Sequence, residues 1–156
     1  MKNYIKQLRE KVGHQKVILN FAVGIILDTD GKILLQKRGD SLKWGLPGGA
    51  VELNESFDKA AQREIFEETG LRVNVEKILG IYSNKKYHET RKNGDKCQPV
   101  VVAFYTKNVG GELKLTSNNE TLSLKYFSKK ELPNIHNKQH EDIILDALNG
   151  ASGIWK

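Results

Sequence analysis

Hydrophobic positions change rhythm along the chain, and each change marks an element. Residues 2–12 carry Tyr4, Ile5 and Leu8 on one side of an otherwise charged stretch, which predicts a short basic helix. Val17 to Leu27 reads as a strand closed by the turn Asp28-Thr29-Asp30-Gly31, and Lys32 to Lys37 reads as its hairpin partner. A Gly/Pro-rich loop follows, Trp44-Gly45-Leu46-Pro47-Gly48-Gly49. The rhythm then turns helical over Phe57 to Thr69. Ser56 is placed as N-cap, Asp58 sits in the first turn, and Gly70 is positioned to terminate the helix.

Leu71 to Tyr82 reads as the next strand, and Asn93-Gly94 is a hairpin-turn dipeptide. Pro99 to Thr106 is apolar and rich in β-branched residues, as a buried strand is. Gly110-Gly111 predicts another turn, Thr121 to Phe127 a last strand, and Glu141 to Leu148 a closing helix with Ile143, Ile144 and Leu148 inward. Strands flank helices with hairpins among them, which predicts an α/β fold with a mixed sheet and helices on its faces.

Composition narrows the class. The 156 residues suit one domain, read as 1–156 with residues 1–14 as a basic helical extension. With 38% apolar and 28% charged residues and three prolines, the chain is neither disordered nor collagen-like. One cysteine, Cys97, excludes an internal disulfide framework and a Cys-based zinc site. The longest apolar runs, Phe21 to Leu27 and Val100 to Tyr105, fall short of the ~20 residues of a membrane helix. Met1 to Gly13 has no apolar core of a secretory signal, so a cytoplasmic location is expected.

The formal charge of +6 suits either polyanion binding or simple solubility. It is unevenly spread. Lys85, Lys86, Arg91, Lys92 and Lys96 crowd one stretch, whereas Val51 to Gly70 is acidic.

On the helix Phe57 to Thr69, Glu64, Glu67 and Glu68 fall within a sector of about 100°. Glu64 and Glu68 repel at i,i+4, and Glu67 and Glu68 oppose the negative helix end. A hard cation such as magnesium would reverse the sign of each effect. Alone, such glutamates more often simply solvate an exposed helix end. Phe57, Ala60 and Ala61 share their sector, however, so this is not simply the solvent face.

Gly49, Glu55, Arg63-Glu64-Ile65, Glu67-Glu68, Gly70 and Leu71 together fill the pattern G-x5-E-x7-R-E-U-x-E-E-x-G-U, with U aliphatic. This resembles the Nudix box at all of its fixed positions. The lead-in Trp44 to Gly49 and the later Tyr126-Phe127 strand before Glu131-Leu132-Pro133 are also similar to that family. The resemblance runs from about Val17 to Leu148.

The resemblance implies a Nudix-type α/β/α sandwich with a mixed β-sheet and the Nudix loop-helix-loop. It implies a hydrolase that cleaves a diphosphate linked to another moiety X, with Mg2+ (or Mn2+) and attack by water on phosphorus. Glu64, Glu67 and Glu68 are the implied metal ligands, with the Gly48 carbonyl a further one. Glu55 and Arg63 are the implied pair that orients the ligand carboxylates, a task a guanidinium fork suits. Family members differ in their general base, leaving Glu64 and the later-loop residue Glu120 as candidates; Glu120 also reads as a turn residue after Ser117-Asn118-Asn119. Glu52 is a further nearby carboxylate. Arg38 could reach a phosphate.

Tyr87 stands where some ADP-ribose-cleaving subfamilies carry a proline, a position where a tyrosine is similar to dinucleoside-polyphosphate cleavers. Tyr82, Tyr87 and Phe104 are candidates to stack a base or to fill the core, and Trp44 to pack beneath its loop. His14, His88, His136 and His140 receive no role. Nucleoside triphosphates, nucleotide sugars and dinucleoside polyphosphates all stay open as substrates. The partner expected is a small nucleotide-type molecule, with no membrane, no nucleic acid beyond an RNA 5′ end, and a homodimer left open. The alternative function is a non-catalytic Nudix domain that senses a nucleotide ligand or mediates interactions.

Overall fold

The computed structural model describes residues 4–115 and 119–156. The expected helix positions 2 and 3 and turn positions 117 and 118 lie outside them. Within the described residues the elements run α1 (Tyr4–Val12), β1 (Val17–Ile25), β2 (Ile33–Arg38), β3 (Trp44–Gly45), β4 (Gly48–Ala50), α2 (Phe57–Thr69) and β5 (Leu71–Tyr82). They continue with β6 (Glu89–Thr90), β7 (Lys96–Gly111), β8 (Thr121–Phe127), α3 (Lys138–Leu148) and β9 (Ile154–Trp155).

Successive residues of a strand point to opposite faces, and in β1 and β7 both faces are apolar. Val23, Ile25, Val101 and Ala103 face one way and pack with Ile143, Ile144 and Ala147 of α3. Ala22, Val102 and Phe104 face the other way and pack with Ala60 and Ala61 of α2. Two helices therefore cover opposite faces of one sheet, the α/β/α sandwich the resemblance implies. The sheet runs β4-β1-β7-β5-β9, with β6 on β7. It is mixed, because β1 and β7 run parallel while β5 lies antiparallel to β7.

A second sheet, β3-β2-β8, stands apart from the first. This corrects the expectation of a β1–β2 hairpin ladder. β1 is already flanked by β4 and β7, which leaves it no free edge. The two strands meet at the Leu27–Ile33 bridge and then diverge into different sheets. The opening between those sheets becomes the cleft.

Three smaller corrections have local causes. Gly110 and Gly111 do not reverse the chain but end β7 against Arg72 and Leu71. α3 starts at Lys138, three residues before the expected Glu141, because the Asn137 side chain accepts the His140 N–H at 2.8 Å and caps it there. Ser56 is the N-cap residue of α2 as expected, with extended backbone, but its hydroxyl accepts no helix N–H and donates instead to the Asp58 carboxylate in the first turn. Gly70 does end α2 as expected, in the left-handed region at φ 76° with its N–H on the Phe66 carbonyl (2.9 Å). No helix among the described residues is long and apolar enough to cross a membrane.

Candidate active site

α2 is held close to the sheet by small residues, and this closeness buries its carboxylates. Ala60 and Ala61 are fully covered, and on the same face Glu64 and Glu68 are only 2% and 6% exposed. The loop of β4 lies against them. A side chain at Gly49 would place its Cβ 2.5 Å from the Glu64 carboxyl carbon, so the backbone approach requires glycine. The Gly48 N–H donates to Glu68 Oε2 at 2.8 Å.

Arg63 organises the remaining box residues. Its Nε and Nη2 grip both oxygens of Glu55 (2.7 and 2.8 Å), its Nη1 donates to Glu64 Oε1 (2.7 Å), and Nη2 also reaches the Ala50 carbonyl (3.0 Å). Glu67 Oε2 lies 3.7 Å from Nη1. The bonds to Glu55 raise the Arg63 pKa above the usual range, and the same bonds lower that of Glu55. Glu55 further accepts the Glu52 N–H (3.1 Å), and Glu52 in turn accepts the Tyr4 N–H at the start of α1 (3.1 Å).

Three carboxylates, Glu55, Glu64 and Glu67, thus gather around one guanidinium, and the buried Glu64 is joined on the same face by the buried Glu68. Buried charge is costly unless paired or metal-bound, so this donor set suits a cation. Among the described residues no three acidic, histidine or cysteine side chains converge tightly enough to cage an ion unaided. Magnesium needs no such cage, since it keeps several waters and takes one or two carboxylates together with substrate phosphates. The residues present fit it.

Glu64, Glu68 and Gly48 open onto a cleft of about 910 Å³ between the two sheets, a volume suited to a nucleotide-sized ligand. Arg38 and Glu120 line the same cleft. Arg38, at the end of β2, holds Asp40 with two bonds (3.0 and 2.8 Å), which lower the Asp40 pKa to about 2. Glu120 sits on the turn entering β8, beside Gly39, whose N–H donates to the Glu120 carbonyl (2.9 Å). Glu52 lines the cleft as well, whereas Glu55, Arg63 and Glu67 are not among its lining residues.

Tyr87 is placed elsewhere. It belongs to the core at 5% exposure, and its hydroxyl donates to Asp142 at 2.7 Å. Tyr82 is likewise core, with its hydroxyl on Asp146 (2.8 Å), and Phe104 packs beneath α2. Trp44 packs edge-on against Phe127 at 4.8 Å.

Among the described residues Phe21 brings a phenyl ring to the cleft, and no local motif marks it. The floor adds Gln36, Gln139, His136 and His140. Only the four-residue spacing of the two histidines around the start of α3 hints at their pairing, with ring centroids 4.2 Å apart. Burial, with Arg38 nearby, lowers His136 to about 4, and burial beside His136 takes His140 well below the usual imidazole range. Both rings are neutral at pH 7. The Leu46 N–H donates to His140 Nδ1 (3.0 Å), which leaves the His140 proton on Nε2.

Known proteins agree with this geometry. A family model described as the NUDIX domain matches residues 19–147. A MutT-like protein of Streptomyces ambofaciens is 33% identical over 82% of this chain and 75% of its own length. An ADP-ribose pyrophosphatase of Methanocaldococcus jannaschii is 33% identical over 97% of this chain and 89% of its own. The crystal structure of an ADP-ribose pyrophosphatase from Streptococcus suis superposes with a TM-score of 0.68 at 26% identity, covering 88% of this chain and 96% of that one. A loop-helix-loop that buries glutamates over a cleft between two sheets therefore has its counterpart in a known enzyme fold, and the chain belongs to the Nudix hydrolase family.

Proposed function

We propose that this pyrophosphohydrolase works with magnesium, held by Glu64, Glu67 and Glu68 with the Gly48 carbonyl, and that residues 1–156 act as one Nudix domain in the cytoplasm. One observation carries the reading: two buried carboxylates, Glu64 and Glu68, border a nucleotide-sized cleft beside the Gly48 backbone. When bound, magnesium would neutralise the diphosphate and lower the pKa of an attacking water.

The chain's own residues do the rest. Arg63 fixes Glu64 by anchoring itself in the fork of Glu55, and the Gly48 N–H fixes Glu68. Glu120, which lines the same cleft as Glu64 and Glu68, is our candidate to take the proton of the water. The water oxygen bonds to phosphorus, the bridging P–O bond breaks, and its electron pair leaves on the second phosphate. Arg38 offers a guanidinium to the phosphates from the β2 side of the cleft.

The test is Glu64→Gln, which keeps shape and removes charge. Turnover of a nucleotide panel should fall by about 100-fold or more, as for loss of a group stabilising transition-state charge, with the melting temperature held. Chelation with EDTA should stop the wild type and magnesium restore it. Full turnover in EDTA would overturn the metal reading. Magnesium-dependent nucleotide binding without any turnover would point to a sensing module.

A further inference from the structure

The basic stretch from Lys85 to Lys96 is not absorbed by the box chemistry, and the structure brings part of it to the cleft. Arg91, Lys92 and Asn93 form the tip of the β6–β7 hairpin and line the same cavity as Glu64 and Glu68. The tip is built, not loose. The Arg91 N–H donates to the Asp95 carbonyl (2.8 Å), the Gly94 N–H to the Arg91 carbonyl (2.9 Å), and the Asn93 and Asp95 side chains bond each other (3.0 Å).

Arg9 of α1 then staples the hairpin from behind. Its Nη2 donates to the Lys96 carbonyl (2.8 Å), its Nη1 to those of Gly13 and Gln15 (3.0 and 2.7 Å), and its Nε lies 3.6 Å from Asp95. Arg9 and Asp95 are 13% and 14% exposed, so this is a half-buried clamp and not a surface pair.

Charge decides what the hairpin can hold. On the opposite wall Arg38 faces the cleft while its Nε and Nη2 hold Asp40. Arg91 is 3.9 Å from Glu89, too long for a hydrogen bond, and among the described residues Lys92 forms no ion pair within 4 Å. The cleft is therefore acidic where α2 borders it, while at the hairpin end Arg91 and Lys92 outweigh Glu89 by one positive charge. A substrate with only a diphosphate has its charge met at the acidic end through metal. A longer phosphate chain carries further charge, and a guanidinium fork with a neighbouring ammonium is suited to it.

We infer that Arg91 and Lys92, held by the Arg9 staple, form an anion subsite for a phosphate beyond the cleaved diphosphate, so that the substrate is a 5′-polyphosphate with three or more phosphates. The inference rests on the diphosphohydrolase reading. A free nucleotide or an RNA 5′ end would present the same chemistry.

The experiment measures kcat and KM on GTP, a 5′-triphosphorylated RNA oligonucleotide and ADP-ribose, for wild type, Arg91→Ala/Lys92→Ala, and the charge control Lys107→Ala outside the cleft. The double variant should raise KM for triphosphate substrate by about tenfold or more, the scale of lost charge-assisted bonds. Its kcat, and both constants for ADP-ribose, should hold within about twofold, the Lys107→Ala protein behaving as wild type. An effect on GTP identifies the free nucleotide, and an effect confined to the oligonucleotide identifies the RNA end; either supports the subsite. Equal losses on ADP-ribose, no loss on any triphosphate, the same loss in Lys107→Ala, or wild-type preference for ADP-ribose would overturn it. If the wild type turns over nothing, the hydrolase reading fails instead. Calorimetric binding of GTP to wild type and double variant then decides the subsite: weaker binding by the variant supports it, and equal binding or none by both overturns it.

Discussion

Replacing Arg63 with lysine keeps the charge and removes the fork. Arg63 makes four bonds, two to Glu55, one to Glu64 and one to the Ala50 carbonyl. A lysine ammonium donates from a single point and cannot span both Glu55 oxygens while reaching Glu64. At least two bonds are lost, and at about 1.5 kcal/mol for each charge-assisted bond that is about 3 kcal/mol of positioning for Glu64. If that positioning is needed in the transition state, kcat falls by roughly 100-fold at about 1.4 kcal/mol per decade. The magnesium midpoint should rise by about 10- to 100-fold, as when a residue supporting a ligand is removed.

The assay is a magnesium titration of initial rate for wild type and Arg63→Lys, with thermal melting beside it. The side chain is 24% exposed, so water takes over part of the lost bonding, and melting should shift by only a few degrees. A variant that keeps both rate and magnesium midpoint would refute the positioning argument. A variant that simply unfolds is separated from that outcome by its melting curve, and Glu55→Gln, which leaves Arg63 in place, then tests the same clamp from its other side.

Tyr87→Phe removes the hydroxyl bonded to Asp142 in the core and touches nothing in the cleft. It should cost about 1–3 kcal/mol in urea unfolding with KM unchanged, and a raised KM at full stability would return Tyr87 to the substrate. Acid should destabilise the fold in two windows. His136, lowered to about 4, and His140, lowered further, take up protons more readily unfolded, so stability falls as pH drops below the unfolded value near 6.5. The slope is bounded at about 2.7 kcal/mol per pH unit for two protons, and Asp40 and Asp142, both near 2, add their loss only below about pH 4. Urea midpoints at pH 7.5, 6 and 5 read this, and a flat profile over that range would contradict neutral buried rings.

The parts of the site legible in the sequence are those set by local geometry. Gly49, Arg63, Glu64, Glu68 and Gly70 lie within one loop-helix-loop, where spacing alone puts carboxylates on one face and a glycine at the helix end. Whatever depends on distant partners was not legible. Tyr87 became core because Asp142, 55 residues on, accepts its hydroxyl. β2 left β1 because the distant strand β7, with β4, occupied both edges of β1, which no local turn signal reports. The histidines entered the cleft because Asn137 starts α3 early and turns His140 toward the Leu46 amide. Local pattern located the chemistry, while long-range pairing built the pocket around it.

The two halves of the cleft are also linked through a chain of polar contacts that runs along α1. Arg63 holds Glu55, Glu55 accepts the Glu52 N–H, and Glu52 accepts the Tyr4 N–H that begins α1. Five residues along α1, Arg9 holds the hairpin that carries Arg91 and Lys92. The N-terminal helix is thus bonded at one end to the acidic loop and at the other to the basic hairpin. Its carboxylate partner sits at the positive end of the helix dipole, where a negative charge is stabilised by about 0.3–1 kcal/mol. A helix with no fully buried residue gains little from core packing, so these polar ties set its place. That place fixes the distance between the carboxylates proposed to hold metal and the cations proposed to read the rest of the phosphate chain. α1 then has a proposed role that overall charge alone does not supply, spacing the two ends of one binding cleft.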